Sequence, residues 1–504
     1  MKFLRDLCKL TDCSVIGNQN REIDGIAYHS KAVNKNYMFV AIDGFFCSGK
    51  SYINEAISRG ASVIVCKDRS LINRLSNAYP HITFIISNDC RRFLATAANW
   101  FYDYPSNSIK LIGITGTDGK TTTSYIIKSI LEAAGKSTGL IGTIKYYDGE
   151  RYLRASHTTP ESLDLVRFLH NLRTKNIQYC ICEVSSHALA LNRVHGLDFH
   201  VAVFTNISQD HLDFHRTLSA YKKAKLKLFQ MVASNGYAAV NLNDKFSQII
   251  VKNTDATVIG YGVNLFNIPD QVKTIVAGKI LSKTIKGTNV LVKITNRESD
   301  NEIELDVILP MIGEHNVFNM LGAIAAAYAL KIPYEIIPQG ISACSLVTGR
   351  LQKITANNKV NIYIDYAHTP RALETVIKSL REITKGRIIV VFGCGGNRDA
   401  QKRPLMGKIS TELADFAVIT SDNPRNENPL DIIKNITTGI KKDNYKIIVN
   451  RSQAIKEAIL MAQKDDAVLI AGKGHEKYQI IGDRKIPYSD FAVVKQTLKI
   501  LKET

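Results

Sequence analysis

The stretch that decides the fold reads Ile109-Lys110-Leu111-Ile112-Gly113-Ile114-Thr115-Gly116-Thr117-Asp118-Gly119-Lys120-Thr121-Thr122-Thr123. Its isoleucine-rich start predicts a β-strand, which is followed by a glycine-flanked turn and a helix-like run over 124–134. Backbone N–H groups in such a turn, and at the start of the following helix, face a bound phosphate. Lys120 can reach the outer phosphates of a nucleotide, and Thr121 is the expected hydroxyl ligand of a nucleotide-bound magnesium ion.

This loop departs from the general phosphate-binding pattern at one position, where Ile114 replaces a glycine. The alternative is therefore a glycine-rich turn in front of an ordinary helix. Gly-Lys-Thr at a strand-to-helix junction is a demanding combination, and it favours a nucleotide site. We predict that ATP binds to the loop residues Gly116, Thr117, Asp118, Gly119, Lys120, Thr121 and Thr122.

Length and composition indicate a globular chain with several domains. The chain has 504 residues, of which 45% are hydrophobic and 22% charged, so two to four domains are expected. Its longest apolar stretch, 320–330, is shorter than the roughly 20 residues that span a bilayer. Residues 1–11 mix charged and apolar side chains and lack the core of a signal peptide. We expect a cytoplasmic protein without membrane insertion.

The cysteine content and the net charge limit the classes of function that are possible for this chain. The nine cysteines include no CxxC pair, which indicates reduced thiols and no structural zinc. A net charge of +19 raises the hypothesis of a nucleic-acid partner. The lysines are dispersed, however, and no basic block interleaved with aromatic residues is present. An acidic nucleotide-bearing substrate, or a lysine-rich proteome, explains the charge as well, and we predict no nucleic-acid partner.

The pattern along the chain predicts three α/β domains, over 1–106, 107–339 and 340–504. In the first, 37–42 and 61–66 are predicted strands and 51–59 a helix between them. The second alternates strand-like and helical runs, which predicts a mainly parallel sheet with helices on both faces. The third has a Rossmann-like pattern without a GxGxxG motif.

The third domain concentrates polar residues after its predicted strands. The predicted strands are 361–364, 387–392, 416–420, 446–449 and 467–471. Four of them end in polar loops, at 365–370, 393–399, 421–425 and 472–476. In a parallel sheet these loops share one edge, where ligands bind, although loops at such an edge can also be merely solvated.

Two segments of the second domain carry candidate chemistry. Glu183 ends a predicted buried strand and is therefore placed to meet the magnesium held by Thr121, although a lone glutamate there is often structural. Segment 210–215 has two aspartates and two histidines, which suggests a metal or acid–base site. Magnesium fits better than zinc, because no cysteine is near and magnesium prefers oxygen ligands. The lysines at 222, 223, 225 and 227 read alone as a solvated helix face.

Several motifs together resemble those of the Mur ligases and of their folylpolyglutamate synthase relatives. Thr-Gly-Thr-Asp-Gly-Lys-Thr-Thr at 115–122 resembles the family's nucleotide loop, and 210–215 resembles its Asp-His-Leu-Asp-Tyr-His signature. Residues 313–319 match the family's Gly-x-His-Asn-x-x-Asn. Asp-Asn-Pro-Arg at 422–425 matches the members that add diaminopimelate. The resemblance covers nearly the whole chain, in order.

The resemblance implies a UDP-binding N-terminal domain, a P-loop ATPase-like central domain and a C-terminal Rossmann-like domain for an amino acid. It implies a monomeric cytoplasmic enzyme that uses ATP and two Mg²⁺ ions to join meso-diaminopimelate to a UDP-muramyl dipeptide, through an acyl phosphate. The guanidinium of Arg425 suits the second carboxylate of diaminopimelate, which lysine lacks. Alternatives are a lysine-adding or folate-elongating ligase of the same superfamily, and a nucleic-acid-stimulated ATPase.

The resemblance also implies roles for individual residues. For catalysis it implies Lys120, Glu183, His211 and Lys225, the last as a carbamate, and for metal binding Thr121, Glu183, His211 and Lys225. The further ATP residues are Asn316, Asn319, Arg350 and Asp365. The residues for the muramyl dipeptide are Ser30, His157, Thr158, Thr159, Ser185 and Arg193. Those for diaminopimelate are Arg398, Asp422, Asn423, Pro424, Arg425, Gly472 and Glu476. The chain departs from the family's pattern at His29, Lys31, His157, Leu191 and Arg371.

Overall fold

The computed structural model describes residues 2–44, 47–284, 286–344, 347–354 and 360–503. The chain divides into two compact units. Unit 1 contains Met1–Gly113, Lys136–Ala202 and Ala224–Gly236, and unit 2 contains Ile114–Gly135, Val203–Lys223 and Tyr237–Thr504. The predicted domain boundaries at 106/107 and 339/340 stay predictions.

Helices and strands alternate along the chain, as the sequence pattern predicts. The first part contains α1 (Leu4–Cys8), β1 (Ser14–Ile16), β2 (Gly25–Ala27), β3 (Tyr37–Val40), α2 (Ile53–Ser58), β4 (Ala61–Cys66), α3 (Arg69–Ala78), β5 (Thr83–Ile86) and α4 (Cys90–Phe101). The middle part contains β6 (Lys110–Thr115), α5 (Lys120–Ala133), β7 (Thr138–Ile141), β8 (Lys145–Tyr147), β9 (Tyr152–Arg154), α6 (Ser162–Thr174), β10 (Tyr179–Glu183), α7 (Ser186–Ala190), β11 (Phe199–Phe204), α8 (Leu212–His215), α9 (Leu218–Gln230), β12 (Val232–Asn241), α10 (Ser247–Lys252), β13 (Thr257–Val263), β14 (Val272–Thr284), β15 (Gly287–Asn296), β16 (Asn301–Leu309), α11 (Glu314–Ala329) and α12 (Ile336–Ser342). The last part contains β17 (Gln352–Ile354), β18 (Asn361–Asp365), α13 (Pro370–Arg381), β19 (Ile388–Phe392), α14 (Lys402–Leu413), β20 (Phe416–Ile419), α15 (Pro429–Thr437), β21 (Tyr445–Ile447), α16 (Arg451–Met461), β22 (Ala467–Ala471), β23 (Tyr478–Ile481), β24 (Arg484–Pro487) and α17 (Asp490–Glu503).

Unit 1 opens with a small sheet in the order β1-β5-β4-β3-β2. Its strands run parallel except for β1, which is antiparallel to β5. Asp68 and Asp89 cap α3 and α4 by accepting hydrogen bonds from backbone N–H groups of the first turn. The predicted helix over 51–59 is a 3₁₀ turn, Gly49–Tyr52, followed by α2. The small α/β unit expected from the sequence is therefore present.

In the rest of unit 1, β10 is buried along its whole length and pairs in parallel with β7. Strands β8 and β9 extend from β7 in antiparallel pairs. Helix α6 begins after Glu161, whose side chain accepts a hydrogen bond from the N–H of Ser162. Thr158, Thr159 and Pro160, which form a Thr-Thr-Pro turn, therefore precede the helix and are available for other contacts.

Unit 2 carries helix α5, against which α11 and α12 pack. Strands β12, β13 and β14 pair in parallel, whereas β14, β15 and β16 pair antiparallel. In β16, buried and exposed residues alternate over the second half of the strand, because one face packs inward and the other meets solvent. The predicted mainly parallel sheet thus has an antiparallel extension.

The last part of unit 2 is a second sheet in the order β17-β18-β22-β19-β20-β21. All its pairs are parallel except β17 with β18. The five predicted strands of this region are therefore confirmed. Their polar loops follow the carboxyl ends of parallel strands, at one edge of the sheet. Apolar clusters lie on both faces, with Leu373 and Phe392 in one and Val391 and Val494 in the other.

Two further observations bear on the sequence-based expectations. The nine cysteines lie in the described part of the chain and are free thiols. Among the described helices, none combines the length and apolar character that a bilayer crossing requires.

Candidate active site

The glycine loop between β6 and α5 has the backbone that a phosphate site requires. Gly116 and Gly119 adopt positive φ angles of 153° and 87°. A Cβ atom on Gly119 would lie 2.2 Å from Oδ1 of Asn319, so this position excludes any larger residue. Gly119 directly precedes the first residue of α5, and N–H groups of the first turn of a helix are left for an anion.

Lys120 folds back over this loop. Its ammonium group donates hydrogen bonds to the carbonyl oxygens of Gly116 and Thr117, each at 2.8 Å. The hydroxyl-bearing residues Thr121 and Thr122 follow in the first turn of α5 and are buried. The predicted lysine and hydroxyl groups are therefore at the helix start.

The segment after β11 anchors the loop from its other side. Oδ1 of Asn206 accepts a hydrogen bond from the N–H of Asp118 at 3.1 Å, and Thr205 donates to the carbonyl of Asp118 at 2.6 Å. The hydroxyl of Thr117 lies 3.1 Å from the hydroxyl of Tyr221. The ring of Tyr221 lies 6.4 Å from that of His211. The Asp-His signature and the glycine loop are thus connected through one tyrosine.

Asn316 and Asn319 lie one turn apart at the start of α11 and are both buried. The amide of Asn319 donates to Oδ1 of Asn316 at 3.1 Å, and its own oxygen lies 3.5 Å from the hydroxyl of Thr123. Asn316 in turn donates to the carbonyl of Ile312 at 2.8 Å. The predicted asparagine pair therefore stands beside the glycine loop.

A cavity of about 320 Å³ lies next to the loop within unit 2. Its lining includes seven of the predicted ATP residues, namely Asp118, Gly119, Thr122, Asn316, Asn319, Arg350 and Asp365. This volume lies at the small end of the range of sites that hold cofactors and small ligands. The residues predicted for ATP are therefore brought together around one concave site.

Arg350 and Asp365 reach this cavity from the last part of the chain. Arg350 donates to the hydroxyl of Thr121 at 3.3 Å, and its guanidinium lies 4.9 Å from the ring centre of Tyr366. The carboxylate of Asp365 accepts hydrogen bonds from the N–H groups of Leu351 and Ala367 at 2.6 and 2.7 Å. Asp365 therefore fixes the backbone beside Arg350, and burial raises the pKa of its carboxyl.

Two histidines near Arg350 are held in the neutral form. Burial, with Arg350 nearby, lowers the pKa of His315 to about 4. Burial, with Arg350 and Lys473 nearby, lowers the pKa of His475 to about 3. The ring of His475 lies 5.2 Å from that of Tyr366. Burial is thus the main cause of both pKa shifts, and the positive charge of Arg350 adds to each of them.

His211 sits beside a buried carboxylate. Its Nε2 lies 3.4 Å from Oδ2 of Asp210, and Nε2 of His368 lies 3.9 Å from the same oxygen. Burial alone would raise the pKa of Asp210, but His211, His368 and Lys402, together with the backbone N–H of His211, lower it to about 2. Asp210 is therefore an ionised carboxylate between two imidazoles.

In unit 1, Glu183 lies at the carboxyl end of β10 and is fully buried. Its carboxylate accepts hydrogen bonds from the N–H and the hydroxyl of Thr143 at 3.1 and 2.8 Å. Thr158 contacts the same Thr143 hydroxyl at 3.0 Å. Thr143 was not predicted, because a single threonine after a short strand carries no sequence signal.

The Thr-Thr-Pro turn joins this cluster. The hydroxyl of Thr159 donates to the carbonyl of Glu183 at 2.7 Å and accepts from the N–H of Ser185 at 3.0 Å. Arg193 donates to the carbonyl of Thr159 at 3.0 Å and lies 3.5 Å from Glu161. The structure therefore brings together four of the six residues predicted for the muramyl dipeptide.

The other two predicted residues have different surroundings. The buried hydroxyl of Ser30 donates to Glu55 at 2.7 Å. His157 is exposed, and its carbonyl accepts a hydrogen bond from Tyr146 at 2.6 Å.

Lys225 is not part of a solvated helix face. It is 1% exposed, whereas Lys223 and Lys227 on the same helix are exposed. The interpretation of these lysines as a solvated helix face is therefore wrong for Lys225, because the helix turns this side chain inward. Within the described residues, no group of three or more His, Cys, Asp or Glu side chains is arranged to hold a metal ion.

A second cluster lies after β20 and β22, at the carboxyl edge of the last sheet. Asp422 and Asn423 are buried there, and the amide of Asn423 donates to Oε2 of Glu476 at 2.9 Å. A Cβ atom on Gly472 would lie 2.8 Å from Oδ2 of Asp422, so this glycine permits close approach of the two loops. Lys473, which was not predicted, also joins this cluster.

Two arginines complete the cluster. Arg425 has a positive φ of 52° after Pro424 and donates to the carbonyl of Gly396 at 2.8 Å. Burial, with Arg398 nearby, lowers the pKa of Arg425. Arg398 is exposed and lies 4.0 Å from Asp213. Two guanidinium groups and two carboxylates thus share one edge of the sheet, a combination suited to a zwitterion with an additional carboxylate.

The fold and the two clusters of unit 2 define a class of protein. A glycine loop that binds a nucleotide, followed by a Rossmann-like sheet that presents arginines and acids, is the arrangement of an ATP-dependent ligase. Comparison with known proteins agrees. The chain matches "Mur ligase family, catalytic domain" over residues 22–102, "Mur ligase middle domain" over 114–327 and "Mur ligase, glutamate ligase domain" over 349–474.

Full-length relatives extend this result. The chain is 42% identical, over 97% of each chain, to UDP-N-acetylmuramoyl-L-alanyl-D-glutamate–2,6-diaminopimelate ligase 1 of Clostridium acetobutylicum. It is 41% identical, over 98% of each chain, to the corresponding ligase of Caldanaerobacter subterraneus. A solved structure of such a 2,6-diaminopimelate ligase aligns over 100% of both chains, with a TM-score of 0.67 and 26% identity.

The chain belongs to the Mur ligase family. Members of this family are ATP-dependent ligases, and this chain is one of them. The expected three-part α/β fold and the use of ATP are therefore confirmed.

Proposed function

We propose that the protein joins meso-diaminopimelate to the D-glutamate of UDP-N-acetylmuramoyl-L-alanyl-D-glutamate, with conversion of ATP to ADP and phosphate. The observation that carries this proposal is the pairing of two sites in unit 2. One is the cavity beside the glycine loop, and the other is the cluster with Arg425 and Arg398 at the edge of the last sheet. The names of the full-length relatives support the same substrates.

The nucleotide would occupy the cavity with its phosphates at the glycine loop. N–H groups of the loop and of the first turn of α5 would bind phosphate oxygens, and Lys120 would exchange its two carbonyl contacts for them. Asn316 and Asn319 would contact the adenine side. Arg350 would stand near the outer phosphate, because it already contacts the hydroxyl of Thr121.

The muramyl dipeptide would bind to unit 1. Thr158, Thr159, Ser185 and Arg193 would contact its peptide end, because these residues surround the end of β10. Ser30, after β2, would contact the nucleotide-sugar end, and His157 would lie at the exposed side of the turn. These assignments follow the domain order proposed from the sequence, with 1–106 for the UDP group, 107–339 for ATP and 340–504 for the amino acid.

Magnesium fits the chemistry of the donors that the sequence suggested. In unit 2 the hydroxyl of Thr121 offers an oxygen ligand, which this ion prefers, and His211 offers an imidazole. In unit 1 the carboxylate of Glu183 offers oxygen ligands of its own. A bare Lys225 would repel the ion, whereas a carbamate on its amine would supply a carboxylate-like group. The ions would neutralise charge on the transferring phosphoryl group.

The proposed reaction has two steps. A carboxylate oxygen of the dipeptide's D-glutamate attacks the γ-phosphorus of ATP, which gives an acyl phosphate and releases ADP. The amine of diaminopimelate then attacks the acyl carbon, loses a proton and expels phosphate as the amide forms. Lys120 and the loop N–H groups stabilise the charge on the phosphoryl group in the first step.

The amino-acid site selects the substrate by charge. Arg425 would bind the second carboxylate of diaminopimelate, and Arg398 would contribute the neighbouring cation. Asp422, Asn423 and Glu476 would hold the zwitterionic end of the molecule. The enzyme would work as a monomer in the cytoplasm on small-molecule substrates, without nucleic acid or membrane partners.

A substrate panel tests this proposal directly. The purified protein is incubated with ATP, Mg²⁺ and the UDP-muramyl dipeptide, and ADP release is followed with meso-diaminopimelate, with L-lysine or with neither. We expect ADP release and a tripeptide product, verified by mass, only with diaminopimelate. Preference for lysine would overturn the role of Arg425, and turnover driven instead by DNA or RNA would overturn the proposal itself.

A further inference from the structure

Lys473 is a buried lysine inside the candidate amino-acid site. It follows β22 in the loop that contains Gly472 and Glu476, and its side chain is 0% exposed. The flanking glycines, Gly472 and Gly474, have positive φ angles of 112° and 50°. These angles let the loop turn sharply on both sides of the lysine, so that its ammonium group lies inside the protein.

The ammonium group donates hydrogen bonds to two side chains, both of which belong to the residues proposed for the amino acid, and it lies 5.9 Å from the ring centre of Tyr478. It donates to Oδ1 of Asn423 at 2.9 Å and to Oε2 of Glu476 at 2.8 Å. The amide of Asn423 donates to the same Oε2 at 2.9 Å. Lys473, Asn423 and Glu476 thus form a closed triangle of hydrogen bonds.

The triangle leaves little freedom to either partner. Oδ1 of Asn423 also accepts from the N–H of Ile480 at 2.9 Å, so its oxygen and nitrogen positions are both fixed. Oε2 of Glu476 receives two donors, whereas the described residues offer no hydrogen bond to Oε1. One oxygen of the carboxylate is therefore held by the protein and the other is left to a ligand.

Simple stabilisation of the fold does not explain this arrangement. Removing a charged lysine from water is unfavourable unless charged or polar partners compensate it. An apolar residue would fill the same space without that cost. Lys473 instead places its charge against Asn423 and Glu476, two residues proposed for the amino acid, which is the way in which a supporting residue fixes the geometry of a binding group.

We propose that Lys473 is a positioning residue for the amino end of the amino-acid substrate. It fixes Asn423 and Glu476 in one orientation and leaves Oε1 of Glu476 as the acceptor for a substrate ammonium group. This inference rests on the proposed function, in which the cluster at the edge of the last sheet binds the amino acid. Because every candidate amino acid has an ammonium group, it does not depend on which of them is used.

The test separates amino-acid binding from ATP binding. Lys473→Met removes the charge at similar size, and Lys473→Arg keeps a cation but cannot reproduce a compact ammonium group with two close acceptors. For both variants we expect the KM for the amino acid to rise about tenfold or more, with the KM for ATP changed less than about twofold. Amine-independent phosphoryl transfer, measured as ATP–ADP exchange with the muramyl dipeptide alone, should stay close to wild type.

A matched control addresses loss of structure. Asp466 is a buried carboxylate paired with Arg387 at 2.8 Å, at the amino end of β22, away from the loops. Asp466→Asn should lower the melting temperature without raising the KM for the amino acid selectively. If Lys473→Met does not fold, the KM measurements are made with Lys473→Arg, which keeps the buried charge.

The results that would overturn the role of Lys473 differ from those that would overturn the proposed function. The amino acid that wild type uses is established first with the substrate panel, and the variants are then measured with that amino acid. An unchanged KM for it in both variants, or equal rises in the KM values for amino acid and ATP, would overturn the role of Lys473. Failure of wild type with every amino acid would overturn the proposed function and the inference together.

Discussion

The guanidinium of Arg350 donates a hydrogen bond to the hydroxyl of Thr121 at 3.3 Å, although the two residues are 229 positions apart in the chain. Arg350 precedes the last sheet, and Thr121 belongs to the first turn of the helix after the glycine loop. This contact brings a cation from the last part of the chain to the place where the phosphates of ATP would bind.

Arg350→Ala should therefore weaken the use of ATP. Loss of a charge-assisted contact to phosphate is expected to raise the KM for ATP about tenfold or more and to lower kcat. The measurement is ADP release as a function of ATP concentration. Arg381→Ala, which removes an exposed pair with Asp415 on the same part of the chain, is the control and should leave both constants unchanged. Equal behaviour of the two variants would remove Arg350 from the site.

Gly119→Ala should abolish nucleotide binding. Its Cβ atom would lie 2.2 Å from Oδ1 of Asn319, and its φ of 87° disfavours alanine. The matched control is Gly135→Ala, where φ is 67° but no atom lies within 4 Å of a Cβ atom. The control should cost only about 1 kcal/mol of stability and keep ATP binding, measured by calorimetry. Normal affinity in Gly119→Ala would contradict the assigned loop.

Arg425→Ala should weaken binding of diaminopimelate far more than binding of ATP. The expected rise in the KM for diaminopimelate is about a hundredfold, because a largely desolvated guanidinium–carboxylate pair is lost. Arg484→Ala, on the exposed strand β24 nearby, serves as the control. Equal losses for both substrates would count against the proposed partner of Arg425.

Lys225→Ala should be nearly inactive, with a loss of about a hundredfold or more in kcat, because the carboxylate-like group would be missing. A small carboxylate such as formate should restore part of the activity by occupying the vacated space. Lys223→Ala on the exposed side of the same helix should behave as wild type. Full activity of the Lys225 variant without formate would exclude the proposed role, and a mass increase of carbon dioxide on Lys225 would support it.

The free energy of unfolding should fall as the pH is lowered, and His475 should account for part of this fall. Its folded pKa of about 3 lies below the ordinary value of 6.5, so the unfolded chain binds a proton that the folded chain does not. The contribution of neutral His475 to the free energy of unfolding is therefore fully present above about pH 6.5. It is lost progressively as the pH falls towards 3, at up to about 1.4 kcal/mol per pH unit. His315 adds a loss of the same sign at its pKa of about 4.

His475→Asn should therefore flatten the dependence of unfolding free energy on pH below about pH 6.5. Urea titrations at several pH values between neutral and mildly acidic conditions measure this slope, provided that unfolding is reversible. The variant is compared with wild type by slope rather than by absolute stability, so a general loss of packing does not confuse the result. Parallel slopes would show that His475 is not held neutral.

The sequence alone determined the local structural motifs of this protein. Residues 115–122 form the glycine loop because the positive φ angles of Gly116 and Gly119 and the start of α5 are set by neighbours in the chain. The five strands of the last sheet and the polar loops after them were also predictable, because buried parallel strands read as apolar runs. Strand–helix alternation further placed those loops at one edge.

Only the tertiary structure decided which distant residues meet and which side chains lose their water. Lys225 looks solvated within its helix but is buried, and Lys473 looks like an ordinary loop lysine but holds Asn423 and Glu476. Thr143 supports Glu183 without any sequence signal. The physical reason is that burial and long-range hydrogen bonds depend on the packing of elements far apart in the chain, which periodicity and motif spacing do not encode.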